Sequence, residues 1–149
     1  MNRQAIIGIG NPNRSDDAIG WHAIDLLKKN PPAHADLIKA SGEMTELLEL
    51  FSQYDTIHCI DAASGLKTPW MRFETLEELA KNTTAQTSTH GLGLLEAIKM
   101  AKTLETLPKT LIIWAIRAGN YKMGQPVATG CNEAIQTVVN SILTLAESV

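Results

Sequence analysis

Short apolar runs, typical of buried strands, alternate along the chain with longer segments whose apolar residues recur at helical spacing. Strands are predicted over residues 4–9, 36–40, 56–61, 70–73 and 110–116. Helices are predicted from Ala18 to the Pro31-Pro32 pair, over residues 44–51 and 91–103, and from Cys131 toward the end of the chain. The stretch 64–88 shows little pattern apart from the strand at 70–73.

Strands that alternate with helices predict βαβ units, and hence a mostly parallel sheet with helices on both faces. We therefore expect an α/β fold of three layers, α/β/α, with a twisted, mostly parallel sheet of about five strands, of the phosphorylase/hydrolase-like type. Ligands of such sheets bind beyond the carboxyl ends of the strands. Three places meet this condition: the turn after residue 9, the strand end at Asp61 and the segment before the predicted helix at Gly91.

Length and composition narrow the class of protein. The 149 residues fit one domain spanning 1–149, and no apolar stretch is long enough to predict a membrane span. The 13 Lys and Arg against 16 Asp and Glu give a net charge of -3, which argues against a nucleic-acid partner and against binding to an anionic membrane. Two cysteines, Cys59 and Cys131, are too few for a disulfide framework, so we expect a cytoplasmic protein.

Three polar residues stand at the predicted carboxyl edge of the sheet. Asp17 follows the first strand and precedes a helix, Asp61 closes the third strand, and His90 stands just before a predicted helix. A histidine at a helix N-terminus tends to stay neutral, and neutral imidazole is the form that binds a metal. Two carboxylates and one imidazole would make a divalent-metal site with open positions, as a catalytic site requires. Each residue alone also has a structural interpretation, as a helix cap, a strand-end cap or a polar loop residue.

The other histidines and the familiar motifs do not point to a different site. His22, His34 and His58 are interpreted as structural or solvated. The chain has no Walker A loop, no Gly-x-Ser-x-Gly and no His-Glu-x-x-His. Its Gly8-Ile-Gly-Asn-Pro12 turn begins like a dinucleotide fingerprint but lacks the third glycine, so a tight strand-to-loop turn is the better interpretation.

These residues resemble the motifs of the hydrogenase maturation proteases, the endopeptidases that process the large subunit of nickel–iron hydrogenases. The resemblance runs along nearly the whole chain. It rests on three blocks: Gly8-Ile-Gly-Asn-Pro12 with Asp16-Asp17-Ala-Ile-Gly20, Ile60-Asp61-Ala62, and Ser88-Thr-His90-Gly-Leu92. The resemblance implies that Asp17, Asp61 and His90 bind the metal and carry catalysis.

The activity implied by the resemblance is removal of a C-terminal extension from the precursor of the large subunit, after nickel has been inserted. The partner would be that precursor. The metal would be nickel, bound by the protease itself or brought by the substrate. The protease is expected to be a monomer. A metal could polarise the scissile carbonyl or activate the attacking water, or a carboxylate such as Asp17 could act as the base that takes a proton from that water.

The chain departs from the family pattern in segments outside the three blocks. The aspartate expected after the second strand is missing from Ala40-Ser41-Gly42-Glu43. The family's Pro-Gly appears here as Pro69-Trp70. The usual stretch at the end of the penultimate strand is replaced by Arg117-Ala-Gly-Asn120. Two alternatives remain open. One is a non-catalytic nickel-binding or chaperone-like maturation module; the other is a peptidyl-tRNA hydrolase-like enzyme, whose histidine–asparagine pair is replaced here by Asp16-Asp17.

Overall fold

A computed structural model describes residues 3–10, 19–63, 66–82, 89–117 and 129–147. The five strands are β1 Gln4–Ile9, β2 Ala35–Ala40, β3 Thr56–Ala63, β4 Trp70–Phe73 and β5 Thr110–Arg117. The five helices are α1 Ile19–Lys29, α2 Met44–Gln53, α3 Leu76–Asn82, α4 Thr89–Leu104 and α5 Thr129–Glu147. In these ranges, no helix is both long enough and apolar enough to cross a membrane.

The strands form one sheet in the order β2-β1-β3-β5-β4. Of the strands in the described ranges, four are parallel, and β4, at one edge, pairs antiparallel with its neighbour β5. The central strands β1 and β3 are buried almost throughout, as expected for parallel strands covered on both faces. The carboxyl ends of β1, β3 and β5 consequently lie along the same edge of the sheet.

Helices cover both faces of this sheet and enclose two separate apolar cores. On one face α2, α3 and α4 pack over a cluster that includes Cys59, Ala63 and Ala115. On the opposite face α1 and α5 pack over a cluster that includes Ile60 and Trp114. The predicted three-layer α/β/α fold with a mostly parallel five-stranded sheet is confirmed.

Two features differ from the sequence prediction. The helix predicted from Gly91 begins at Thr89, so His90 belongs to the first turn of α4 instead of preceding the helix. The low helix propensity of Gly91 and Gly93 obscures this start in the sequence. Helix α3 was not predicted, because its seven residues are too few to show a helical period.

Candidate active site

Asp61 lies inside β3, two residues before the strand ends, and its side chain is only 4% exposed. Its Oδ1 accepts a hydrogen bond of 2.8 Å from the backbone N–H of Ala62. A buried carboxylate is costly to desolvate, and hydrogen bonds from N–H donors reduce that cost while fixing its orientation. The structure thus places Asp61 at the carboxyl edge of the sheet, as predicted, with a defined carboxylate position.

The alternation of side chains along β3 sets the face on which Asp61 lies. Cys59 and Ala63 belong to the core beneath α2, α3 and α4, so Asp61 between them points to the same face. Burial, and secondly the nearby Asp61 carboxylate, raise the pKa of the Cys59 thiol. Cys59 therefore stays a protonated, apolar core residue at neutral pH and is no candidate nucleophile.

The start of α1 lies directly against the strand ends next to Asp61. A Cβ added to Gly20 would overlap the carbonyl oxygen of Ile9 and lie 2.6 Å from that of Ile60, and a Cβ added to Gly8 would overlap the carbonyl oxygen of Gly20. These contacts are between backbones, so no flexible side chain could move aside. Only glycine permits this approach, which brings the first turn of α1 beside β1 and β3.

The predicted metal ligands differ in how far the structure locates them. Asp61 is placed with its side chain; the backbone of His90 lies in the first turn of α4, and its side chain is outside the described residues. Asp17 also lies outside the described residues, two positions before α1. Leu94, in the second turn of α4, packs in the same core as Ala63, so the N-terminal part of α4 lies on the face of the sheet to which Asp61 points.

The described side chains include no group of three His, Cys, Asp or Glu able to hold a metal ion. A site of three such ligands at this edge would therefore include at least one side chain outside the described residues, and Asp17 and His90 are the predicted ones. Carboxylate oxygens and imidazole nitrogen are donors that suit divalent nickel, so the residue types fit the group. The grouping of Asp17, Asp61 and His90 stays a prediction.

His58 points away from Asp61, to the face covered by α1 and α5. Its Nδ1 accepts a hydrogen bond of 3.1 Å from Nε1 of the buried Trp114. Burial, with a smaller effect of Arg72, lowers the pKa of His58 from 6.5 to about 4. His58 is a neutral structural histidine, in agreement with the sequence interpretation, and His34 is exposed.

The β2–α2 segment forms a second, well-anchored part of the carboxyl edge. The carbonyl oxygen of Ala40 accepts hydrogen bonds from Gly10 N, at 3.0 Å, and from Trp21 Nε1, at 2.9 Å. Glu46 Oε1 accepts from Ser41 N at 2.8 Å, and Glu43 caps the N-terminus of α2. The segment that departs from the family pattern is therefore fixed by its own hydrogen bonds, and the role of Trp21 in it was missed by sequence reasoning.

A cationic pair lies at the other side of the carboxyl edge, where β5 ends. Arg117 N donates to Pro69 O at 2.8 Å, and its Nη1 donates to Lys67 O at 3.4 Å. Both Arg117 and Lys67 are exposed. Sequence reasoning noted Arg117 only as a departure from the family pattern, because the order of the strands was needed to bring it beside β3.

The structure thus defines an α/β/α protein with a buried, oriented carboxylate at the carboxyl edge of its parallel strands, the edge at which sheets of this kind bind ligands. A model of the hydrogenase maturation protease family matches residues 22–148, a range that contains Asp61 and His90 and begins after Asp17. The chain belongs to the hydrogenase maturation protease family. This confirms the resemblance, places the chain among proteases and selects that family over peptidyl-tRNA hydrolases.

Several solved structures share this fold. The hydrogenase maturating endopeptidase HybD from E. coli superposes with a TM-score of 0.78 at 20% identity, covering 98% of this chain and 93% of that one. The [NiFe] hydrogenase maturation protease HybD from Thermococcus kodakarensis has a TM-score of 0.78 at 21% identity, with 97% and 99% covered. An E. coli endopeptidase solved in solution has a TM-score of 0.80 at 23% identity, with 98% and 93% covered. Comparison with curated protein sequences gave no significant match.

Proposed function

We propose that this protein is an endopeptidase that removes the C-terminal extension from the precursor of a nickel–iron hydrogenase large subunit after nickel insertion. The observation that carries the proposal is the family match over residues 22–148, which includes the buried, oriented carboxylate of Asp61. The fold adds support, because the carboxyl edge where Asp61 lies is where sheets of this kind bind ligands.

Asp61 would act together with Asp17 and His90, which hold the other two proposed ligand positions. The nickel bound by these residues would supply Lewis acidity toward the scissile carbonyl or toward water. The Ala62 N–H orients the Asp61 carboxylate. Asp17 could instead act as the base that activates water. The protonated Cys59 thiol beneath Asp61 takes no part.

The proposal is tested by incubating the protein with nickel-loaded, C-terminally extended large subunit and following loss of the extension by mass spectrometry. Asp61→Asn keeps the shape and an acceptor for Ala62 N but removes the charge. We expect it to lower the rate at least about 100-fold, as loss of a metal ligand or base does. Asp17→Asn and His90→Ala are expected to be similarly impaired.

Asp55→Asn is the matched control, because Asp55 precedes the same strand at its opposite end, where its carboxylate accepts from Arg3 N at 3.0 Å. The asparagine retains an acceptor there, so activity should stay near the wild-type rate. Persistence of the extension with the wild-type protein would refute the protease proposal. If the wild type then still bound the nickel-loaded precursor, the non-catalytic maturation module would be the correct interpretation.

A further inference from the structure

Arg117 occupies a position beside Asp61 that the sheet register defines. In the pairing of β3 with β5, Asp61 lies opposite Ala115 and Ala63 lies opposite Arg117. Ala63 and Ala115 belong to the same core, so Asp61 and Arg117 lie on that face as well. Strand spacing and rise put the two Cα atoms about 8 Å apart, a distance that an arginine side chain can span.

The loop after β3 determines the surroundings of the guanidinium. Lys67 and Pro69 each offer a backbone carbonyl to Arg117, one to its side chain and one to its main chain. The loop therefore lies along the end of β5 and brings the exposed Lys67 next to the exposed Arg117. Two cationic residues are thus neighbours at the rim of the candidate active site, in a chain whose net charge is -3.

The chemistry of this corner favours a carboxylate ligand. A guanidinium presents five N–H donors in a planar fork and can hold the Lys67 carbonyl and a carboxylate at the same time. A neighbouring ammonium group strengthens attraction for an anion without requiring a fixed geometry. A polypeptide substrate supplies carboxylates through its Asp and Glu side chains.

We propose that Arg117 is a specificity-determining residue that binds an acidic side chain of the C-terminal extension as the extension crosses the end of β5. This inference rests on the proposed function, since the extension is its substrate. Arg117 acts on substrate affinity and leaves the chemistry at Asp61 unchanged.

The test measures KM and kcat of the full chain on the extended large subunit. Arg117→Gln should raise KM about 10-fold or more, as expected when a charge-assisted bidentate pair is lost, with kcat changed less than about twofold. The KM of Arg117→Lys should lie between those of the wild type and Arg117→Gln, because lysine keeps the positive charge but lacks the planar fork of donors. Lys109→Gln removes an exposed cation at the other end of β5 and should leave KM unchanged.

A second arm changes the substrate. Replacing the Asp and Glu residues of the extension by Asn and Gln should raise the KM of the wild-type enzyme. The same replacement should not raise the KM of Arg117→Gln further, as required of two groups that interact directly. A further rise in KM when Arg117→Gln acts on the neutralised extension would overturn the proposal. So would an unchanged KM for Arg117→Gln, an equal rise for Lys109→Gln, or a fall in kcat at unchanged KM.

Failure of the proposed function is distinguishable from failure of this inference. If the wild type left the extension uncleaved, calorimetric titration of the extended precursor would still compare wild type, Arg117→Gln and Lys109→Gln. If Arg117→Gln bound the precursor more weakly than both the wild type and Lys109→Gln, the carboxylate contact would be supported even though no cleavage occurs. Equal binding by the three proteins would overturn it. Thermal unfolding of each variant establishes that the compared proteins are folded.

Discussion

The buried pair of His58 and Trp114 should make the folded protein sensitive to mild acid. Trp114 is 1% exposed and donates its Nε1–H to Nδ1 of His58, so the neutral imidazole carries its proton on Nε2. Protonation would place a second N–H at Nδ1, facing the indole donor. Arg72, whose Cζ lies 5.5 Å from the centre of the Trp114 ring, adds a like charge nearby.

The size of the effect follows from the pKa of His58, which folding lowers from 6.5 to about 4. The unfolded chain binds this proton more tightly than the folded protein does, so the unfolding free energy is unaffected above pH 6.5 and falls as the pH drops toward 4. The loss attributable to His58 is about 1.4 kcal/mol at pH 5.5 and about 3 kcal/mol at pH 4.

Urea denaturation followed by far-ultraviolet circular dichroism at pH 7.5, 5.5 and 4.5 measures this loss. His58→Gln removes the titrating group and keeps an acceptor for Trp114, so its stability should fall less with pH than that of the wild type. His34→Gln replaces an exposed histidine and should follow the wild type. Equal pH dependence of wild type and His58→Gln would refute the reasoning.

A measurement on the wild-type protein covers the case in which His58→Gln does not fold. The His58 ring protons, followed by NMR from pH 7 downward, should keep the shift of the neutral imidazole until the pH is below about 5. A transition near pH 6.5 would contradict the assigned burial and hydrogen bond.

Two further substitutions test the packing around the sheet. Gly20→Ala should lower the unfolding free energy by about 1–3 kcal/mol, because its Cβ meets the backbone carbonyls of Ile9 and Ile60; an unchanged urea midpoint would show that α1 does not lie this close. Gln4→Met should raise the unfolding free energy by about 1 kcal/mol, because Gln4 Oε1 is buried without a hydrogen-bond partner among the described residues and methionine fills a similar volume. A lower thermal midpoint would mean that this oxygen is satisfied in solution.

The main strands and the place of Asp61 could be predicted from the sequence because both follow from local patterns. Each apolar run is long enough to indicate a buried strand, and a charge at the end of one of them, Asp61, stands out. Because parallel strands share a carboxyl edge, the sequence also predicts the edge of the sheet at which Asp61 lies. The structure extends β3 by only two residues beyond the predicted end.

Helix α3 could have been found from its capping residues. Thr75 Oγ1 accepts from Glu78 N at 3.1 Å and also donates to Glu78 Oε1 at 3.2 Å. The Thr-x-x-Glu spacing is a helix-start signal that a search for apolar periodicity overlooks. Such a short helix depends on its cap and on the packing of Leu76 and Leu79 against the core.

Contacts between distant segments could not be read from the sequence. The approach of Gly8 to Gly20 depends on how α1 crosses the sheet, which no local pattern records. The position of Arg117 depends on β5 lying between β3 and β4, and local sequence patterns do not reveal this strand order. Both features surround Asp61, so the parts of the site that sequence reasoning missed are those created by tertiary packing.

The pairing of β3 is asymmetric at Asp61, and this asymmetry would separate the two proposed functions of the site. Pairing with β1 stops at Gly8–Ile60, whereas pairing with β5 continues to Ala63–Arg117. On the β1 side the chain continues toward Asp17, and on the β5 side it supplies Arg117. If the proposed ligands bind nickel, substitution of Arg117 should weaken binding of the extension while nickel affinity stays unchanged, and substitution of Asp17 should weaken nickel binding. Under these two proposals, metal recognition and peptide recognition lie on opposite sides of one carboxylate.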